Sequence, residues 1–160
     1  MLLLLQDMFF AYIAAFGFGS ISNPPFKALC AAAGLGAIGH GFRFFLINVY
    51  AVNIVPASFS AAVCTGFLAL LVAMKMKTPV EVFTFPAMLP MIPGIPAYNT
   101  MIYLVKFLSA DKSQAEVYLV QVFQNGFLAL FVLSALVLGI LFPLLLFRRK
   151  CYSMTKGVPV

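Results

Sequence analysis

The sequence predicts an all-α integral membrane protein of about five transmembrane helices, the fourth broken at a Pro-Gly-Ile-Pro motif. Three observations carry that expectation. Hydrophobic residues make up 64% of the 160 residues and charged residues only 9%, with a mean hydropathy of +1.08. A soluble domain devotes about a quarter of its residues to charge. Apolar stretches of the roughly 20 residues needed to cross a bilayer core alternate with short polar or proline-bearing turns. Finally, the segment FPAMLPMIPGIPAYNTM, Phe85 to Met101, places Pro86, Pro90, Pro93, Gly94 and Pro96 inside an otherwise apolar run. Each proline lacks an amide donor and crowds the carbonyl one turn back. In hydrocarbon such a break is tolerated only where other helices cover it or where it lines a polar cavity.

The first span runs from Leu2 to about Ile21 and stops at Ser22-Asn23-Pro24-Pro25, a turn signal. Its start, MLLLLQDMFF, has no positive leading region and its apolar run continues past Ile13, so it reads as a retained span rather than a signal peptide. The second runs from Lys27 to about Val49. The third covers Ile54 to Met74, entered through Pro56 and closed by Lys75-Met76-Lys77-Thr78-Pro79. The fourth, Val80 to Leu108, is discontinuous, with one half-helix before Pro93 and another after Pro96. The polar patch Ser109 to Gln114 precedes a last span from about Tyr118 to Phe147, and a basic tail occupies 148–160. The whole chain is thus one transmembrane domain. No room remains for a soluble motor domain, and no phosphate-binding glycine loop is present.

Five spans place the termini on opposite sides. With the C-terminus cytoplasmic, Lys27, Lys75, Lys77, Arg148, Arg149, Lys150 and Lys156 lie inside, and Lys106 and Lys112 outside. That bias favours an N-out, C-in topology. A re-entrant hairpin over Val80–Leu108 is the competing arrangement and would put Lys75 and Lys77 opposite the basic tail. The net charge of +6 belongs to this orientation rather than to nucleic-acid binding, since no basic face with interleaved polar residues exists. Cys30, Cys64 and Cys151 are isolated and only one histidine occurs, so no metal centre or other cofactor is expected. Nor does any nucleophile elbow or local catalytic signature appear, which argues against an enzyme.

In secondary transporters, broken helices hold substrate near the bilayer midplane with helix ends aimed at it, and transport is the leading reading here. The second span carries two ridges of small residues, Ala32-Gly36-His40 and Ala33-Ala37-Gly41. Small ridges let another helix approach closely; one is expected to pack within the chain and the other against a partner. His40 and Arg43 lie three residues apart and so share a helix face. Arg43 can offer a carboxylate a planar fork of donors, or else snorkel to the interface. His40 can accept a proton, or simply bond a neighbouring helix. Asp7 is the candidate to pair with Arg43 or to couple a proton; its alternative is the outer interface.

At the break, Gly94 is free to take positive φ, and a half-helix beginning near Pro96 would present free amides to an anion. Tyr98, Asn99 and Thr100 follow with polar side chains. Pro90, Pro93, Gly94 and Pro96 are the structural break itself. Gln121, Gln124 and Asn125 form a polar head on the last span.

On QDM at Gln6–Met8, NPP at Asn23–Pro25, GAIGHGFR at Gly36–Arg43 and FPAMLPMIPGIPAYNTM at Phe85–Met101, the chain resembles the small membrane subunit of the split, two-component threonine/serine exporter superfamily, a group with a succinate-exporter-like member. The proline motif is the specific part of that likeness. The resemblance implies a bacterial cytoplasmic-membrane exporter working with a larger membrane subunit. It also implies small carboxylate substrates, threonine or serine in some members and dicarboxylates in others. The residue-level picture is a carboxylate held between Arg43 and the amides after Pro96. Further copies of the chain are an added expectation, because an odd number of spans cannot form two equal inverted halves. Two rivals stay open: a channel subunit gated at the Pro-Gly break, and an assembly subunit that moves nothing.

Overall fold

The computed structural model describes residues 2–147, so the basic tail expected at 148–160 lies outside the described residues. Six α-helices follow in order: α1 (Leu2–Ser20), α2 (Phe26–Tyr50), α3 (Ile54–Met76), α4 (Glu81–Met88), α5 (Gly94–Leu108) and α6 (Lys112–Leu146). One 3-10 turn, Leu89–Met91, follows α4. No strand occurs among the described residues. Four helices, α1, α2, α3 and α6, are long and apolar enough to cross a membrane.

Local chemistry explains the boundaries. Pro24 and Pro25 stop α1, and Asn23 turns the chain with φ 46°, a left-handed conformation that asparagine tolerates. The carbonyl of Pro25 then accepts the amides of Ala28 and Leu29 at 2.8 and 3.0 Å, which starts α2. Helices α2 and α3 end on Ala51 and Lys77, each left-handed at φ 51° and each returning its amide to the last turn. Pro79 follows α3 closely, where it cannot prolong the helix.

The broken element differs in detail from the expected one. Helix α5 starts at Gly94, not after Pro96, because Pro96 falls in the first helical turn, where a missing amide costs no hydrogen bond. The chain turns at Pro93, whose φ of −77° and ψ of 71° are those of an inverse γ-turn. The carbonyl of Ile92, which Pro96 cannot serve, accepts the Gly94 amide at 2.8 Å. Gly94 does not use positive φ; no glycine among the described residues does. With eight and fifteen residues, α4 and α5 measure about 12 and 22 Å, and neither crosses a bilayer core alone.

The described chain divides into two compact units, the first drawn from residues 2–91 and 135–147 and the second Ile92–Ser134. In the first, α2 packs between α1, α3 and α4. Ala28, Ala32, Leu35, Ala69, Leu70, Ala73, Val80, Phe83 and Ala87 form its apolar core. Gly66 on α3 meets Pro143 and the Ile140 carbonyl of α6, and Gly139 returns the contact to Ala62 and the Phe59 carbonyl.

Both small ridges of α2 are consumed inside this unit. Ala32 and Ala33 are fully buried, Ala37 is buried, and Gly36 and Gly41 lie against α1. The expectation that one ridge faces a partner is therefore corrected: α1, α3 and α4 together cover both rows. In the second unit, Tyr103 of α5 and Tyr118 of α6 stack at 6.4 Å, and the Lys106 ammonium lies 5.6 and 6.0 Å from their ring centres. Gly126 faces Thr100. No residue of α5 is buried.

Candidate functional site

The polar residues of the first unit converge where α2 carries its closest-packed stretch, Gly36 to Arg43. A Cβ on Gly36 would stand 2.9 Å from Ala15, and one on Gly41 would stand 2.5 Å from the Met8 side chain. The bare backbone at these two positions draws α1 against α2, antiparallel to it. Asp7, next to Met8, is thereby carried to His40, next to Gly41. Its Oδ2 lies 2.6 Å from His40 Nδ1. Both side chains are largely covered, at 17% exposure for His40 and 26% for Asp7.

Gly39 faces the other way. A Cβ there would collide with Thr65 Oγ1 and with the Met91 methyl. Met91, fully buried, is thus seated between α2 and α3 at the end of the 3-10 turn. Its carbonyl accepts Arg43 Nη1 at 2.6 Å. A chain break frees carbonyls, and this one is satisfied by a guanidinium rather than by a backbone amide.

Arg43 makes a second bond. Its Nη2 lies 2.9 Å from His40 Nε2. A guanidinium has donors only, so Nε2 must carry a lone pair and accept. The proton of the neutral imidazole is then on Nδ1, where it donates to the Asp7 carboxylate. The result is a directed chain: Arg43 donates to His40, and His40 donates to Asp7. It bridges a cation and an anion through one neutral ring. His40 lies fourteen residues beyond the start of α2 at Phe26, about 21 Å along the helix axis, well inside a spanning segment. Charges at such depth persist when paired and hydrogen-bonded.

The structure thus brings Asp7 of α1 to His40 and Arg43 of α2, with Asp7 and His40 33 residues apart in sequence. One detail departs from the sequence expectation: Asp7 meets Arg43 through His40 instead of directly. Arg43 bonds the Met91 carbonyl, which is not the geometry of the snorkelling alternative. The Met91 carbonyl was missed, because a main-chain acceptor has no residue-type signal; the only hint was that a break at Pro93 must orphan acceptors just before it.

Gly94, Tyr98, Asn99 and Thr100 belong to the second unit. Thr100 Oγ1 donates to the Pro96 carbonyl at 2.8 Å, while Tyr98 is exposed and Asn99 half-buried. The start of α5 is poorer in free amides than expected. Gly94 donates to Ile92, Pro96 has no amide, and Ala97 donates to Pro93 at 3.2 Å. Ile95 is left as its one first-turn donor without a backbone partner there. Asn125 Nδ2 donates to the Gln121 carbonyl at 2.8 Å, along the axis of α6. No group of histidine, cysteine and acidic side chains among the described residues could hold a metal ion.

Comparison with known proteins places this geometry in context. Residues 7–146 match the family model described as "Threonine/Serine exporter, ThrE", a stretch that contains Asp7, His40, Arg43 and Met91. The chain is 39% identical over 150 residues to an uncharacterized protein of Haemophilus influenzae, a match covering 94% of this chain and 50% of that protein. The chain thus spans about half the length of that curated relative. No solved structure matches.

Proposed function

The chain belongs to the threonine/serine exporter family, and from that premise we propose that it is the small membrane subunit of a secondary exporter of small carboxylates. Family membership makes it a multi-pass membrane transport protein rather than an enzyme. The finer reading has three parts. The substrate is an amino acid such as threonine or serine, or a dicarboxylate such as succinate. The working unit includes a larger membrane subunit of the same family. The site of action is the bacterial cytoplasmic membrane, with the N-terminus outside and the C-terminus in the cytoplasm.

The observation that carries the substrate class is the guanidinium of Arg43, held within a spanning helix by an imidazole nitrogen and one carbonyl. Neither acceptor uses the bidentate fork that matches a carboxylate. Asp7 balances its charge only through His40, so a carboxylate arriving at Arg43 meets a cation whose direct partners are neutral. The need for a larger subunit is supported by the match to about half of a longer relative.

The test is uptake of labelled threonine and succinate into inverted membrane vesicles holding this chain, with and without the larger family subunit. Saturable uptake with the pair supports the reading. A non-saturating conductance would make the chain a channel subunit instead. Normal flux by the larger subunit alone would make it an assembly factor.

A further inference from the structure

We propose that the outward face of the α5–α6 hairpin is the docking surface for the larger family subunit, which meets it with an apolar helix carrying an amide or hydroxyl side chain opposite Gln124. The inference rests on reading this chain as one subunit of a pair, and it names the surface on which the pair forms.

The small ridges of α2 are closed by α1, α3 and α4 and leave a partner no access. The second unit, Ile92–Ser134, is the opposite case. Its two helices cover one side of each other: Thr100 of α5 lies against Gly126 of α6, and Tyr103 stacks on Tyr118. The other side of α5 carries Ile95, Tyr98, Met101, Val105 and Leu108, three or four residues apart and each more than three-fifths exposed. On α6, Phe123, Phe127 and Phe131 recur every four residues. Their rings stack at 5.9 and 6.2 Å between centres, and each side chain is more than half exposed.

Lipid is a poor cover for this surface. With 15 residues, about 22 Å, α5 is shorter than a hydrocarbon core of about 30 Å. Set in a bilayer, it leaves at least one end short of an interface, and backbone ends at that depth need protein around them. The Ile95 amide, without a backbone partner in the first turn, stands at such an end. Gln124 adds a second demand. It lies twelve residues beyond Lys112, about 18 Å along α6. Asn125 spends its amide on the Gln121 carbonyl, whereas Gln124 is exposed next to Phe123. An amide facing hydrocarbon is costly, and in membranes such groups bond across to another helix.

The choice of occupant follows from length. The match to the Haemophilus influenzae relative covers 94% of this chain and 50% of that protein. A stretch about as long again therefore accompanies this region there, one copy to one copy. The larger family subunit takes that place here; a second copy of this chain has no such counterpart.

The test is photo-crosslinking in membranes that hold the tagged full-length chain, a second copy with a different tag, and the larger family subunit. Benzoylphenylalanine is placed at Val105, at Phe127 and, as a lipid-facing control, at Phe10 of α1, which is also exposed. Adducts with the larger subunit are expected from Val105 and Phe127 and not from Phe10. Gln124→Leu is expected to lower co-purification of the larger subunit about fivefold, with the melting of the chain alone unchanged. Adducts only with the second copy, only within the chain or only with lipid would overturn the proposal, as would equal capture from Phe10. Undiminished co-purification of Gln124→Leu would overturn the part given to the amide. A pair that transports but captures nothing at Val105 or Phe127 loses the surface and keeps the exporter reading. A pair captured there that moves neither threonine nor succinate keeps the surface and loses the exporter reading.

Discussion

His40 accepts a hydrogen bond from Arg43, one helical turn further along α2, through Nε2 at 2.9 Å. That contact fixes the imidazole proton on Nδ1, facing Asp7, and it holds Arg43 within reach of the Met91 carbonyl. One bond thus ties the ionic cluster to the broken helix.

Replacing Arg43 tests both ends of that tie. Arg43→Lys keeps the charge but cannot hold His40 and Met91 in the planar geometry of a guanidinium. Transport normalised to membrane level is expected to fall about tenfold or more. Arg43→Gln should abolish transport and also lower thermal stability, because an orphaned Met91 carbonyl costs about 1–3 kcal/mol. Flux assays with quantified membrane protein, together with melting of the purified variants, check both. Full flux in either variant at normal level would refute the role.

Ala33 has no exposed surface, so Ala33→Leu is expected to damage the chain itself. Overpacking a closed helix contact costs about 1–3 kcal/mol. A melting curve of the purified chain in detergent should shift down. An unchanged melt with loss of a co-purifying subunit would instead make Ala33 an interface residue.

The seat of Met91 depends on Gly39. In Gly39→Ala the new methyl would collide with Thr65 Oγ1 and the Met91 methyl, a clash that outweighs the roughly 1 kcal/mol helix-propensity gain over glycine. Stability and flux should both drop. Adding Thr65→Ala removes the nearer obstacle and should restore part of the loss. A double-mutant cycle is expected to show coupling of about 0.5 kcal/mol or more; strict additivity would mean that the two residues do not meet.

The cation distribution predicts the sidedness. In a background without native cysteines, Thr78→Cys should react with an impermeant maleimide only after cells are opened, and Asp111→Cys in intact cells. Reaction of Thr78→Cys in intact cells would reverse the topology and revive a re-entrant α4–α5 element.

Much of the fold was legible because membrane helices announce themselves locally. Apolar runs of spanning length, stopped at Pro24-Pro25, near Ala51 and at Lys77 before Pro79, place α1, α2 and α3 within a few residues. The break near Pro93 was equally plain, since a missing amide is a property of the residue. Its form was not. Whether the chain turns at Pro93 or at Pro96 depends on where α5 can start, and Pro96 is tolerated in a first turn.

Of the candidate site, Asp7, His40 and Arg43 stood out as ionisable groups in apolar helices, which the cost of burying charge makes conspicuous in any order of letters. What each of them touches was beyond reach. Glycines at 36, 39 and 41 do not say which neighbour will use the space they leave; only packing shows that Gly36 and Gly41 admit α1 while Gly39 admits Thr65 and Met91. The sequence by itself determined a helical membrane chain with a broken element and with Asp7, His40 and Arg43 among the ionisable residues of its spans, since hydropathy, charge and proline chemistry act within a few residues. Only the tertiary structure decided that Asp7 pairs with His40, that His40 accepts from Arg43, and that Arg43 satisfies Met91. Those bonds join atoms brought together by close helix contact, and hydrogen bonds depend on distances of a few ångströms that no spacing along the chain can specify.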